Sequence, residues 1–313
     1  MRRLLITLGG LALAGAAAFY LLTIPRTIDA AALPKHTADR VEGERMFYAG
    51  GCSSCHAEPA SGKCTDPQSK DKHVLAGGRC LVTPFGTFHV PNITPDPATG
   101  IGGWSDAEFV TAMTKGVSPD GSHYYPAFPY TSYSRMRVED ILDLKAFLMT
   151  LPGVAKPNLP HELALPFRLR RGLGLWKLLF LDGKSFTADA GKPAAWNLGA
   201  YLVEGPGHCG ECHTPRNPIG GFDASKHLAG GPAPEGKDWI PNLTPAPDGI
   251  GSWTEADIAS SLATGFLPDF DSFGGPMVAV QENMAKLTPE DRAAIATYLK
   301  SLPAIANPRP GKK

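Results

Sequence analysis

The chain has 313 residues, enough for two domains of ordinary size, each with its own core. Thirty basic residues balance 30 acidic ones, so nothing in the charge points to nucleic acid or to an electrostatically steered partner. A hydrophobic content of 43% excludes wholesale disorder, while 35 glycines and 30 prolines imply a low share of regular structure.

Arg2 and Arg3 precede an uncharged apolar run from Leu4 to Ile24, 21 residues long. A bilayer core takes about 20 helical residues, and a signal-peptide core about 7–15. Ala16-Ala17-Ala18 would suit cleavage, but the run continues through Phe19, Tyr20, Leu21, Leu22, Thr23 and Ile24. That continuation favours an uncleaved membrane anchor with a linker over residues 1–38. The basic extreme N-terminus stays in the cytoplasm. Either outcome places the remainder on the periplasmic side of the inner membrane.

A helix is expected from about Asp39 to Ala49, leading into Cys52-Ser53-Ser54-Cys55-His56. Alone, this pentapeptide fits a redox pair or a zinc ligand pair as well as covalent haem attachment. Cys64 and Cys80 follow, with no second Cys-Xaa-Xaa-Cys near enough to complete a zinc site. In an oxidising compartment such a pair reads as a disulfide. It would close a loop with 15 residues between the thiols, contributing about 3 kcal/mol in the chain-entropy treatment. Next come Val90-Pro91-Asn92-Ile93-Thr94-Pro95 and a glycine-rich turn ending at Trp104. Ser105 then caps a helix that should stop at Gly116. An aromatic stretch from Tyr124 to Tyr133 precedes a last helix, Val138 to Leu148, whose apolar residues recur at three- and four-residue spacings.

The second half repeats this order. A helix from Ala194 to Val203 leads to Cys209-Gly210-Glu211-Cys212-His213. Ile240-Pro241-Asn242-Leu243-Thr244-Pro245 matches the earlier segment, and Thr254 caps a helix that should end at Gly265. The last helix runs from Pro289 to Leu299. Two copies of the pentapeptide in matching contexts point to c-type haem. Paired thiols form thioethers to the vinyl groups, and the adjacent histidine becomes the proximal iron ligand. The expected cofactors are therefore two covalently bound haem c, through Cys52, Cys55 and His56 and through Cys209, Cys212 and His213.

This layout resembles class I cytochrome c domains. Residues 40–303 are similar to the cytochrome c subunits of membrane-bound bacterial dehydrogenases, the alcohol and gluconate dehydrogenase subunits among them. The resemblance rests on Thr83-Pro84-Phe85-Gly86-Thr87, the Val90–Asp96 segment, Tyr125-Pro126-Ala127-Phe128-Pro129-Tyr130 and Tyr298-Leu299-Lys300-Ser301-Leu302-Pro303. Those subunits often carry three haem domains, whereas two are expected here, and the Cys64–Cys80 insertion is a further departure. The implied fold is mainly α, with two tandem class I cytochrome c domains (39–155 and 193–303) behind an N-terminal transmembrane helix. A linker (156–192) joins the domains and a tail (304–313) follows. In the linker, Phe167 to Leu181 is apolar and basic. It suits a membrane or partner surface, but Gly172 and Gly174 weaken an independent helix and favour packing against both domains.

A class I domain implies methionine as the second axial ligand. Met113 and Met149 fall within helices and read as core, which leaves Met136, just after the aromatic stretch, where the resemblance also places the ligand. In the second half Met277 follows Gly274-Gly275-Pro276, which permits close backbone approach to a flat group. It matches the family's Gly-Xaa-Met position and is preferred over Met284. His36 and His161 lie in linkers, and His208 adjoins Cys209. His73, His89, His123 and His227 are alternative iron ligands, but the reading preferred for them is surface or propionate hydrogen bonding. Arg79, Trp104 and Arg216 are candidates to hold propionates.

The expected function is electron transfer. A periplasmic or membrane-bound dehydrogenase would donate, and a quinone, soluble cytochrome or terminal oxidase would accept. No nucleic acid and no catalytic residue enters this reading. A di-haem peroxidase or a haem-based redox or gas sensor is the alternative; a methionine available in each half argues against the peroxidase, and the absence of a signalling domain after the haem motifs argues against the sensor.

Overall fold

The computed structural model describes residues 1–66, 68–233 and 238–311; the final two residues of the 304–313 tail lie outside these. Helix α1 (Arg2–Leu22) has none of its residues buried against protein. It ends at Thr23, which is fully buried and donates Oγ1 to Phe19 O at 2.6 Å. Helix α2 (Arg40–Ala49) begins where Asp39 accepts from the amides of Val41 and Glu42. The chain then turns through Gly50 and Gly51 into α3 (Cys52–His56).

The expected Cys64–Cys80 disulfide is formed. Cys80 opens β1 (Cys80–Thr83), which pairs antiparallel with β2 (Gly86–His89). Helix α4 (Asp106–Lys115) has a Ser105–Glu108 capping box and ends at left-handed Gly116. The short α5 (Tyr130–Tyr133) and then α6 (Val138–Leu148) close the first half. The connecting segment returns to the sheet as β3 (Glu162–Leu163), paired with β2, before α7 (Leu173–Phe180).

The second half follows the same order. It contains α8 (Ala194–Glu204), α9 (Gly210–His213), the pair β4 (Gly231–Pro232) and β5 (Trp239–Ile240), and α10 (Glu255–Thr264). Thr254 and Asp257 repeat the capping box and Gly265 the left-handed cap. Helices α11 (Met277–Met284) and α12 (Pro289–Ser301) complete it.

Each half is built on one helix crossing, α2 on α6 and α8 on α12. Glycine makes both crossings close. A Cβ on Gly43 would lie 2.1 Å from Asp143 O, and one on Gly199 would lie 1.9 Å from Ala294 O. Glycine inside a helix ordinarily costs about 1 kcal/mol relative to alanine; here no larger residue fits. One continuous apolar core runs through both halves, from Met46 and Phe47 to Tyr201, Leu202, Met284 and Ile295. A smaller cluster of Phe88, Tyr125 and Leu163 lies at the three-stranded sheet.

Helix α7 packs between the halves. Lys177 Nζ donates to Lys115 O at 2.7 Å and Gly116 O at 2.6 Å, in the first half. Trp176 Nε1 donates to Ile219 O at 2.9 Å, in the second. Burial pushes the Lys177 ammonium down to about 7.

The crossings give a direct test. Gly43→Ala and Gly199→Ala should each destabilise the protein by about 1–3 kcal/mol through overpacking, read from guanidinium unfolding. Gly172→Ala, where the backbone is helical and a Cβ meets nothing within 4 Å, should not lower the midpoint. Wild-type stability in both crossing variants would refute the close approach.

Candidate haem sites

A helical turn puts residues three apart on one face, so α3 gathers Cys52, Cys55 and His56, and α9 with its N-cap gathers Cys209, Cys212 and His213. The two histidines have the same environment. His56 Nδ1 lies 2.8 Å from Pro91 O, and His213 Nδ1 lies 2.8 Å from Pro241 O. A carbonyl only accepts, so Nδ1 carries the proton and Nε2 keeps its lone pair for a metal. Burial pushes the His56 imidazole down to about 4, against the opposing pull of the Pro91 carbonyl, and lowers His213 in the same way. Both rings are therefore neutral, as iron ligation requires. The donor set fits two c-type haems.

The carbonyls are held in place by the repeated Pro-Asn-Xaa-Thr segment. Asn92 Oδ1 accepts from Thr94 N at 2.9 Å, and its Nδ2 donates to Val154 O at 2.7 Å. Asn242 accepts from Thr244 N at 2.8 Å and donates to Ile305 O at 2.7 Å. Each buried amide ties its proline loop to the chain leaving the last helix. Opposite each loop, Gly77 N donates to His56 O at 2.8 Å and Gly230 N to His213 O at 2.7 Å. Both glycines have positive φ, +68° and +70°, and a Cβ on either would lie within 2.5 Å of the proline loop backbone. Sequence reading noted this repeat without giving Asn92, Asn242, Gly77 or Gly230 a role; the signal was their recurrence at matching places.

The candidate sulfur ligands fall at unequal positions. Met136 is fully buried in the core. Its amide donates to Tyr133 O at 3.0 Å, as Leu287 N does to Met284 O at 3.2 Å. The preceding bonds, Ser134 N to Tyr130 O and Ala285 N to Gln281 O, repeat likewise. Met136 therefore stands where the second half has Leu287, and Met284 where the first half has Tyr133. Met277 opens an extra first turn of α11, ahead of the part that matches α5. Met113 lies in the core and Met149 packs against it.

The other candidates are engaged within the protein. His36 bonds Asp143 at 2.6 Å, His89 Glu162 at 3.1 Å, and His227 Glu204 at 2.8 Å. His73 lies 3.5 Å from the Tyr48 hydroxyl. His123 Nε2 bonds Thr23 O, and His161 Nδ1 accepts from His89 N. Arg79 donates to Ser54 O and Arg216 pairs with Glu211; the Trp104 ring packs against the core, and its main-chain O accepts from Lys145 Nζ.

The two attachment helices are also bonded crosswise. Ser53 Oγ lies 3.2 Å from Asn283 Oδ1, Asn283 Nδ2 donates to Ser54 Oγ at 3.0 Å, and Ser54 Oγ donates to Ala279 O at 3.1 Å, so α3 leans on α11. Conversely, Glu211 of α9 accepts from Thr131 at 2.8 Å and Ser132 at 3.0 Å, both on α5. His208 Nε2 bonds Gly50 O at 3.1 Å beside Cys52. The outer helices reciprocate too. Arg45 of α2 makes a two-pronged bond to Asp291 of α12, at 2.6 and 2.9 Å. The Tyr201 hydroxyl of α8 donates to Asp140 of α6. Such mutual contacts are those of an isologous, two-fold-like interface within one chain.

A cytochrome c family model matches residues 41–152. The chain is 51% identical over 308 residues to a "Diheme cytochrome c-type" protein of Cereibacter sphaeroides, covering 97% of this chain and all of that one. It is 36% identical over 274 residues to the fructose dehydrogenase cytochrome subunit of Gluconobacter japonicus, covering 87% of this chain and 54% of that subunit. It is 39% identical over 277 residues to the cytochrome c subunit of the quinone alcohol dehydrogenase of Gluconacetobacter polyoxogenes, covering 84% and 56%. The chain thus spans little more than half of these dehydrogenase subunits. The fold is that of a cytochrome c, mostly helical. Within that class the chain belongs to the diheme c-type cytochromes, and it carries two covalently bound haem c.

The cross-half pair generates a pH prediction. Burial pushes the Asp291 carboxyl up, but the Arg45 bonds outweigh it and hold the net value below the ordinary carboxylate range. This stabilisation is present above an unfolded value near 3.9 and is lost as pH falls through the lower folded value. Arg45→Met should cost about 3 kcal/mol at neutral pH, because it strands a buried carboxylate. The gap from wild type should narrow as pH drops below that range. Unfolding curves of both proteins across pH check it, and a pH-independent gap would contradict the pairing.

Proposed function

We propose that this chain is an anchored electron relay built from two tandem class I cytochrome c domains, residues 39–155 and 193–303. Its relatives are cytochrome subunits of dehydrogenase complexes, so it serves electron transfer and not substrate chemistry. The observation that carries the reading is the repeated, neutral, carbonyl-held histidine beside each paired-thiol helix. Cys52 and Cys55 hold one haem, with His56 beneath its iron. Cys209 and Cys212 hold the other, with His213. Bound haem supplies a one-electron ferric–ferrous couple; the chain fixes the two couples against each other through the crosswise bonds. The donor is a periplasmic or membrane-bound dehydrogenase oxidising an alcohol, aldehyde or sugar acid. The acceptor is a quinone, a soluble cytochrome or a terminal oxidase. Helix α1 spans the inner membrane and keeps the haem domains on the periplasmic side.

Met277 and Met136 complete the ligand sets. For Met277 the support is its place after Gly274-Gly275-Pro276, ahead of the core position that Met284 shares with Tyr133. A second reading applies to the first site alone: Met136 shares its register with Leu287, a packing residue, and under that reading the first iron has no sulfur ligand.

Replacing Cys209 and Cys212 together by alanine should lower the haem-to-chain ratio from two to one, measured on denatured protein. An unchanged ratio defeats the attachment assignment. Oxidised protein should show the weak far-red band of methionine–iron bonding. Met277→Ala should remove about half of it and lower one potential, since ferrous iron loses a soft donor. Met136→Ala should remove the other half. If it leaves band and potentials intact, the second reading of the first site holds.

A further inference from the structure

We propose that the outer face of the connecting segment, from Leu165 to Phe180, lies on the lipid surface where α1 leaves the bilayer. The inference rests on reading α1 as a membrane span.

The end of α1 is gripped by this segment. Arg171 Nε donates to Thr23 Oγ1 at 2.8 Å, and its Nη2 donates to Tyr20 O at 2.9 Å. The Arg171 guanidinium lies 4.7 Å from the centre of the Tyr20 ring. His123 Nε2 donates to Thr23 O at 2.9 Å. Helix α7 touches the same residue: a Cβ on Gly174 would lie 2.6 Å from Thr23 Cα. If α1 crosses the bilayer, Thr23 sits at the headgroup level, and so does whatever clasps it. At 1.5 Å per residue, Leu179 is only about 8 Å along the helix from Gly174.

The face turned away from the protein suits that depth. Gly174 and Lys177 point inward and are buried, whereas Leu175, Leu178 and Leu179 are exposed. Leu165, Phe167 and Leu169 are exposed just before them. In a water-facing linker this would be a costly apolar surface. The charges are one-sided: no acidic residue occurs from Leu163 to Leu181, while Arg168 is exposed and Arg170 and Arg171 are partly so. Exposed apolar side chains beside arginines are the composition of an element lying in the lipid interface, favoured by anionic headgroups.

The test uses the full haem-loaded chain in vesicles of phosphatidylcholine with phosphatidylglycerol. Nitroxide labels are placed singly on Leu179→Cys, on Glu290→Cys as an exposed control, and on Leu11→Cys in α1. Visible spectra confirm haem content and folding of each. Collision with oxygen, which concentrates in lipid, is compared with collision with a water-soluble nickel chelate. The Leu179 label should collide with nickel several-fold less often than the Glu290 label and with oxygen more often. A Leu179 label as nickel-accessible as the control, with the Leu11 label shielded, overturns this inference and leaves the span intact. Nickel access at Leu11 overturns the span itself. Shielding of Leu179 that persists in detergent only after a partner dehydrogenase is added, and not in vesicles alone, assigns the face to protein and also overturns the proposal.

Discussion

The bond from His56 and from His213 to a proline carbonyl is the contact around which both halves are organised. An imidazole offers two nitrogens, and a metal site works only if one is committed elsewhere. Pro91 O and Pro241 O take that commitment at 2.8 Å each. A loop carbonyl keeps such a position only if the loop is rigid, so Asn92 and Asn242 are buried and cross-tied to the segments after the last helices. Those segments are fixed in turn by the glycine-mediated crossings of α2 on α6 and α8 on α12. Sequence features far apart in the chain thus converge on one ring orientation. Loosening any of them moves the imidazole.

The crosswise bonds make the two sites one unit. Each attachment helix leans on the segment of the other half that precedes its last helix, so a change at one site is felt in the wall of the other. Glu211 illustrates the economy. Its carboxylate is nearly buried, pairs with Arg216, and accepts from two hydroxyls of α5. A buried carboxylate with fewer partners would cost several kcal/mol; with three it fixes the spacing of the halves. Electron transfer needs little motion and gains from fixed distances, which suits a core shared by both halves.

Much of this was legible in the sequence because each signal was local and repeated. The paired pentapeptides, the Ser105 and Thr254 caps, the Gly116 and Gly265 stops and the last helices all depend on residues within a turn or two of each other. The Cys64–Cys80 pair was legible by elimination. The β1–β2–β3 sheet was not, because β3 comes from the linker and its strands are too short to show a period. The crosswise bonds were also hidden. Ser53, Ser54 and Glu211 fill variable positions of the motif, where a single sequence carries no sign of a partner in the other half, more than 200 residues away for the serines and about 80 for Glu211. Nor could pattern fix the methionine register, since α11 is a turn longer than its counterpart α5.

That difference in length marks where the halves have diverged. In the second half the stretch before the turn is helical and opens with Met277 after two glycines. In the first half the same stretch is aromatic, and its rings do another task. Tyr130 is fully buried, packs edge-on to Trp176 of α7 and lies under Lys177 Nζ at 4.7 Å. Tyr125 donates its hydroxyl to Phe167 O at 2.8 Å. The first half therefore uses this stretch to hold the connecting segment, which in turn clasps the end of α1. On that side the methionine lies beyond the turn, at Met136, where the second half carries Leu287. The histidine cradle is the same in both halves, whereas the stretch before the last helix differs: one copy opens a longer helix with Met277, and the other holds the segment that clasps the end of α1.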